Sequence, residues 1–71
     1  GSYEITLRSG DPDDLTLREA RLLGTADLVA YEPGVPPEIL ARSRADAARR
    51  GIDIDAPAPE FPGVIIVLRH S

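Results

Sequence analysis

Gly10-Asp11-Pro12-Asp13-Asp14-Leu15-Thr16-Leu17-Arg18-Glu19-Ala20-Arg21-Leu22-Leu23-Gly24-Thr25-Ala26-Asp27-Leu28-Val29-Ala30-Tyr31-Glu32-Pro33-Gly34-Val35-Pro36-Pro37-Glu38-Ile39-Leu40 carries a structural signal at every joint. Thr16-Leu17-Arg18-Glu19 matches the capping box, in which a threonine hydroxyl and a glutamate three residues on close each other's backbone N–H groups. Pro12 suits a first helical turn, and Asp11, Asp13 and Asp14 oppose the positive end of a helix dipole. The pattern predicts a helix over about 15–24, with Leu15, Leu22, Leu23 and Ala26 on its buried side and Gly24 as its stop. Ala26–Glu32 is then an apolar run of strand length, and a run without alternation suits a strand covered on both faces.

Working outward, Tyr3–Arg8 alternates apolar and polar residues, the pattern of a half-buried strand closed by Ser9-Gly10. On the other side, Pro33–Pro37 is a rigid turn that launches a helix expected over Pro37–Arg50. Glu38 falls in its first turn, Arg49 and Arg50 in its last, and Gly51 ends it. Ile39, Leu40, Ala47 and Ala48 form its packing side. Ile52–Asp55 alternates and is a candidate edge strand, left open. Ala56–Pro62 holds three prolines and reads as a stiff connector. Val64–Leu68 is continuous and β-branched, the strongest strand signal in the chain, and Arg69, His70 and Ser71 are expected to trail off. The order β-α-β-α-(β)-β predicts a small α/β domain with a mainly parallel sheet of three to four strands and two helices.

The totals narrow the function. The chain has 71 residues, so one domain at most, and an enclosed active site within so short a chain is not expected. Gly1-Ser2 has the form of a cleaved-tag scar, leaving 3–71 as one truncated domain. Twelve acidic residues face eight arginines and no lysine, a net charge of −4, which argues against nucleic acid. No cysteine is present, so disulfide, thiolate and Cys-zinc chemistry are excluded. The longest apolar run is too short to span a bilayer, and no signal peptide is apparent; a cytoplasmic location is the expectation.

Few residues point to chemistry. Asp11, Asp13 and Asp14 lack the glycine and terminal glutamate of a calcium loop and read as a solvated helix start, with no metal expected. His70 is the only histidine and has no orienting partner in sequence. Ser9 and Ser43 lack an adjacent base or elbow motif. Ser9-Gly10 sits where a strand meets a helix, the usual ligand edge of an α/β sheet. One glycine followed by three carboxylates is nevertheless a poor phosphate cradle.

Gly10-Asp11-Pro12, Leu15-Thr16-Leu17-Arg18, Ala26-Asp27-Leu28-Val29-Ala30-Tyr31, Val35 and Pro37-Glu38-Ile39-Leu40 together resemble the opening of the tetrapyrrole methylase family. The uroporphyrinogen-III C-methyltransferases, often fused to siroheme synthase, are the nearest members. The resemblance implies a parallel α/β fold and, in intact members, methylation of tetrapyrroles with S-adenosylmethionine on the way to siroheme and cobalamin. The departures are specific. Leu7-Arg8-Ser9-Gly10 is shorter than the family's glycine-proline-glycine loop, Asp14 stands where the family has leucine, and Glu32-Pro33 replaces its Asp-Arg. The match fades beyond Gly51, and the second, cofactor-binding half is missing, so no cofactor is expected in this fragment.

The expectation is a degenerate methyltransferase-like domain, not catalytic alone. It would serve siroheme or cobalamin biosynthesis as an accessory or interaction module of a longer parent protein, or by self-association. The alternative is a fragment that still binds a tetrapyrrole at the Ser9–Asp14 and Tyr31–Val35 turns. Arg8, Ser9, Gly10, Asp11, Tyr31 and Glu32 are its candidate substrate-binding residues, with Arg8 placed to pair with a substrate carboxylate.

Overall fold

Four strands lie side by side in one parallel sheet in the order β1-β4-β2-β3. The computed structural model describes residues 1–70. The strands are β1 (Ser2–Leu7), β2 (Leu28–Tyr31), β3 (Ala48–Gly51) and β4 (Ile65–His70). Helix α1 spans Leu17–Thr25, and α2 is a single turn, Pro37–Leu40. The α/β class, the parallel sheet and the two helices follow the sequence pattern.

The last strand is the central one. β4 pairs with β1 from Ser2↔Ile65 to Leu7↔His70, and with β2 from Leu28↔Ile65 to Tyr31↔Leu68. Its apolar run is buried because both neighbours and both faces cover it: Ile65 to Leu68 are all buried. On one face Ile66 and Leu68 join Ile5, Leu7, Val29, Leu23 of α1 and Ile39 of α2. On the other, Ile65 and Val67 meet Leu28 and Ala30, under Ile52, which follows β3, and Phe61 of the proline-rich connector. Helices thus pack on one face, and Ile52 and Phe61 of the segment between β3 and β4 pack on the other.

Helix α1 begins as its sequence dictates. A 3₁₀ turn over Pro12–Asp14 is capped by Asp11, whose side chain accepts from the Asp13 N–H at 2.9 Å. Thr16 then caps α1: the Glu19 N–H donates to Thr16 Oγ1 at 3.1 Å, and the Thr16 N–H donates to Glu19 Oε1 at 2.8 Å. Replacing Thr16 by alanine removes one half of this box and is expected to lower stability by about 1 kcal/mol, read as a lower urea midpoint with an unchanged slope. Gly24 does not stop the helix. It lies inside α1, which runs on to Thr25, where the Thr25 hydroxyl donates to the Leu22 carbonyl at 2.8 Å.

The larger correction concerns Pro37–Arg50, which is not one helix. Ser43 Oγ donates to the Leu40 carbonyl at 2.7 Å, and Arg49 donates to that carbonyl at 3.2 Å. Both close the end of α2 after one turn. Arg44 forks onto Asp46 at 3.1 and 3.2 Å, stabilising the turn that follows. Ala48–Gly51 is drawn out as β3, with the Ala48 N–H donating to the Asp27 carbonyl at 2.9 Å and the Ile52 N–H to the Tyr31 carbonyl at 2.8 Å. The reason is tertiary: without β3, the open side of the buried strand β2 would keep its peptide groups unpaired. Arg49, Arg50 and Ala48 are therefore exposed edge-strand residues, not the end and packing side of a helix. The additional strand, β3, lies immediately before Ile52–Asp55, which turns instead, with the Ala56 N–H bonded to the Asp53 carbonyl. Arg69 and His70 do not trail off but complete β4, while Ser71 lies outside the described residues.

Candidate functional site

Parallel strands bring their C-terminal ends to one edge, and α/β sheets bind ligands there. In this domain that edge is made by Arg8–Asp14 after β1, Glu32–Pro36 after β2, Ile52–Ala56 after β3, and His70 at the end of β4. The turns after β1 and β2 do not follow neighbouring strands, because β4 lies between them. They still meet above it. A methyl group placed on Gly10 would stand 3.3 Å from Pro36 Cγ, and one on Gly34 would stand 3.7 Å from His70 Cδ2. Gly34 has φ +93°, a left-handed conformation suited to glycine. Gly10, Pro36, Gly34 and His70 therefore form a continuous roof over the end of the central strand.

The polar residues of this edge are committed to one another. Arg8 donates to the Asp14 carbonyl at 2.7 Å and to Glu19 Oε1 at 2.8 Å. Its guanidinium, with the Thr16 N–H second, holds the Glu19 carboxyl below its usual range, and Glu19 in turn raises the affinity of Arg8 for its proton. Ser9 Oγ donates to Asp14 Oδ2 and accepts from the Asp11 N–H at 3.1 Å. Asp13 lies 3.9 Å from Arg42. Tyr31 is half-buried, its ring against Gly51 of β3.

Glu32 is the most constrained residue of the edge and is only 2% exposed. Its Oε2 accepts from the Asp55 N–H at 2.8 Å and from Arg69 Nη1 at 2.9 Å, and its Oε1 accepts from the His70 N–H at 3.0 Å. Arg69 continues the network to the Ala56 carbonyl at 2.7 Å and to Glu4 at 3.3 Å. One carboxylate thereby ties β2, β4 and the loop after β3 together. The Asp55 N–H first, then Arg69 and the His70 N–H, hold the Glu32 carboxyl below its ordinary range. Arg69 is held above its ordinary range, chiefly by Glu32. Sequence reasoning missed Arg69 altogether. Its partners lie 13, 37 and 65 positions away, counting Ala56, Glu32 and Glu4, so no local pattern announces it.

The depressed Glu32 carboxyl makes a pH prediction with a definite sign. A carboxyl bound more weakly by protons in the folded state than in the unfolded one stabilises the fold above the unfolded value, about pH 4.3. That stabilisation disappears as pH falls through the lower folded value. Glu32→Gln should therefore be less stable than the parent at neutral pH, and the difference should shrink as the solution is acidified below about pH 4. Thermal unfolding of both chains from neutral pH downward reads it.

Of the candidate residues Arg8, Ser9, Gly10, Asp11, Tyr31 and Glu32, the structure gathers the first four into one loop, whose Gly10 meets the β2 turn through Pro36. Tyr31 and Glu32 stand at the base of that turn and are turned inward. No buried side-chain nitrogen or oxygen among the described residues lacks a hydrogen-bond partner. No helix among them is long and apolar enough to cross a membrane.

The chain is similar to siroheme synthases over part of its length. It is 55% identical to the siroheme synthase of Methylococcus capsulatus over 40 residues, 56% of this chain and 8% of that protein. It is 47% identical to that of Pseudomonas aeruginosa over 47 residues, 66% of this chain and 10% of that protein, with the same figures for Hahella chejuensis. The matched stretch thus spans at most about a tenth of these curated relatives. No protein-family profile matches the chain. The chain carries a segment related to siroheme synthase.

Proposed function

We propose that this domain is a degenerate uroporphyrinogen-III C-methyltransferase-like module, non-catalytic alone, that acts as an accessory or interaction unit of a siroheme or cobalamin biosynthesis protein. The siroheme-synthase-like segment supports the pathway. The observation that carries the non-catalytic reading is the closed network at the ligand edge. Arg8, the residue placed to meet a substrate carboxylate, is spent on Asp14 and Glu19, and Glu32 is buried among three donors. Asp11, Asp13 and Asp14 beside them would repel the carboxylates of a uroporphyrin. S-adenosylmethionine is the cofactor of the resembled family, and no role for it is assigned within this segment.

The second reading, retained tetrapyrrole binding, draws on the contact between the two turns at Gly10 and Pro36 and on the ring of His70 beside Gly34. An amide-resolved NMR titration separates the two, first with S-adenosylhomocysteine and then with uroporphyrin III. The expected result is a well-dispersed spectrum unmoved by either ligand. Shifts confined to Arg8–Asp14 and Tyr31–Val35 on adding the porphyrin would replace the first reading with the second.

A further inference from the structure

Between β3 and β4 the chain is firmly tied at both ends and lightly held in the middle. The Ile52 N–H donates to the Tyr31 carbonyl at 2.8 Å, and the Val64 N–H donates to Asp27 Oδ2 at 2.7 Å. Residues 53–62 reach the rest of the domain through two hydrogen bonds, and both fall on one pair of neighbours. The Asp55 N–H donates to Glu32 Oε2 at 2.8 Å, and the Ala56 carbonyl accepts from Arg69 Nη2 at 2.7 Å. The Ala56 N–H turns back on the Asp53 carbonyl, so that bond is internal to the segment. Pro57, Pro59 and Pro62 have no N–H to offer. Beyond Ala56 the hold is apolar, with Phe61 packed against the row Leu28, Ala30, Ile65 and Val67. The backbone is unusual at two points: Asp55 has φ +62° and Gly63 φ +108°. A side chain in the left-handed region stays there because its surroundings hold it. For Asp55 the holding group is Glu32.

We propose that residues 53–62 are a strap that opens as a unit while the sheet stays folded, and that the Glu32–Arg69 pair is the latch that holds it shut. The latch belongs to the sheet and survives opening. Glu32 follows β2, Arg69 lies in β4, and Glu32 keeps Arg69 and the His70 N–H as partners when the strap leaves. Neither bond of the strap is part of a strand pairing, so opening breaks no ladder. It releases the left-handed turn at Asp55 and gives up the packing of Phe61. Segments with so few buried contacts are the ones that open locally below the cost of global unfolding. Acid works the latch. The Asp55 N–H is the first cause that holds the Glu32 carboxyl below its ordinary range, ahead of Arg69 and the His70 N–H. An open strap withdraws that donor, so Glu32 takes up a proton more readily when the strap is open. The shut form is therefore favoured above about pH 4.3 and loses that advantage as pH falls through the lower, latched value. The other charged groups around Glu32 are few. Arg69 of β4 stays charged throughout, Glu4 of β1 sits 3.3 Å from Arg69, and Asp53 and Asp55 ride exposed on the strap itself. His70 gives Glu32 its backbone N–H and turns its ring to Gly34.

The chain has no tryptophan, so Phe61→Trp places a single fluorophore on the strap. Its emission is followed from neutral pH downward beside the far-ultraviolet circular dichroism of the sheet and helices. The emission is expected to shift to the red at a higher pH than the loss of dichroism. Glu4→Gln, which touches Arg69 but not the strap, should leave that early shift in place. Asp55→Pro in the Phe61→Trp background removes the N–H that Glu32 accepts and forbids a positive φ. It should show red-shifted emission already at neutral pH with the dichroism unchanged. A glutamate-specific protease should also cut it after Glu60 about tenfold faster than Phe61→Trp alone, because cleavage follows the population of the open form. Emission and dichroism that change together at one pH overturn the proposal. So does an Asp55→Pro chain with unshifted emission and an unchanged cutting rate, and so does one that loses its dichroism at neutral pH, since the strap would then not open apart from the sheet. No readout involves a tetrapyrrole, so failure here leaves the proposed function untouched.

Discussion

Gly63→Ala is expected to unfold the domain. Gly63 has φ +108°, where an L side chain is strained at a cost of about 1–3 kcal/mol. Space makes the strain worse. A methyl group at this position would lie 2.2 Å from Asp27 Oδ2 and 2.8 Å from Asp27 Cγ. Asp27 cannot swing away without loss, because that oxygen accepts the Val64 N–H at 2.7 Å and its other oxygen faces Arg44 at 3.7 Å. The Asp27 and Leu28 N–H groups both donate to the Val64 carbonyl, so the contact sits where β4 enters the sheet. Strain and the lost hydrogen bond together reach about 3–5 kcal/mol. That is comparable to the whole stability of a domain this small, about 4–10 kcal/mol. Circular dichroism and a thermal melt read the outcome. The double variant Gly63→Ala with Asp27→Ala should regain part of the loss, because it removes the overlap but not the backbone strain.

Ile66→Ala should be nearly as damaging. Ile66 is fully buried at the middle of β4, paired with Tyr3 on one side and Val29 on the other. It packs in the same core as Leu23 and Ile39, the buried residues of the two helices. Truncation leaves a cavity that a short sheet cannot collapse around, at a cost of about 3–4 kcal/mol. Ile66→Val should cost only about 1 kcal/mol, since one methylene is lost and the branched strand-forming shape stays. Urea titrations of the two variants give the ratio. Equal losses would mean that the core does not centre on this residue.

What was legible in the sequence is what is locally encoded. The Thr16–Glu19 box and the Pro12 turn depend on residues within four positions of each other, and both formed where the pattern put them. The apolar runs of β2 and β4 state their burial on both faces directly. Ala48–Gly51 was illegible for the opposite reason. Its alanine and arginines favour a helix, and only the open side of β2, some twenty residues earlier, turns them into a strand. Glu32 was read as a ligand-edge residue because it follows a strand. The residues that occupy it, Asp55, Arg69 and His70, are 23 to 38 positions away. The same distance effect hid the end of β4, whose Arg69 and His70 pair in register with Thr6 and Leu7.

The strand order also has a consequence for synthesis. β1 and β2 touch β4 but not each other, and β4 is made after both. From Ser2 to its partner Ile65 the ribosome must add about sixty residues, roughly 3–13 s of translation. During that interval β1 has no strand to pair with, and β2 has only β3. Helix α1 can flicker locally, but its buried face has no surface to meet. Folding of this sheet is therefore held back until β4 has been made, and its high contact order makes the search correspondingly slow. Until then the stretch most exposed to aggregation is Leu28–Tyr31, a continuous apolar strand with the β4 side still open.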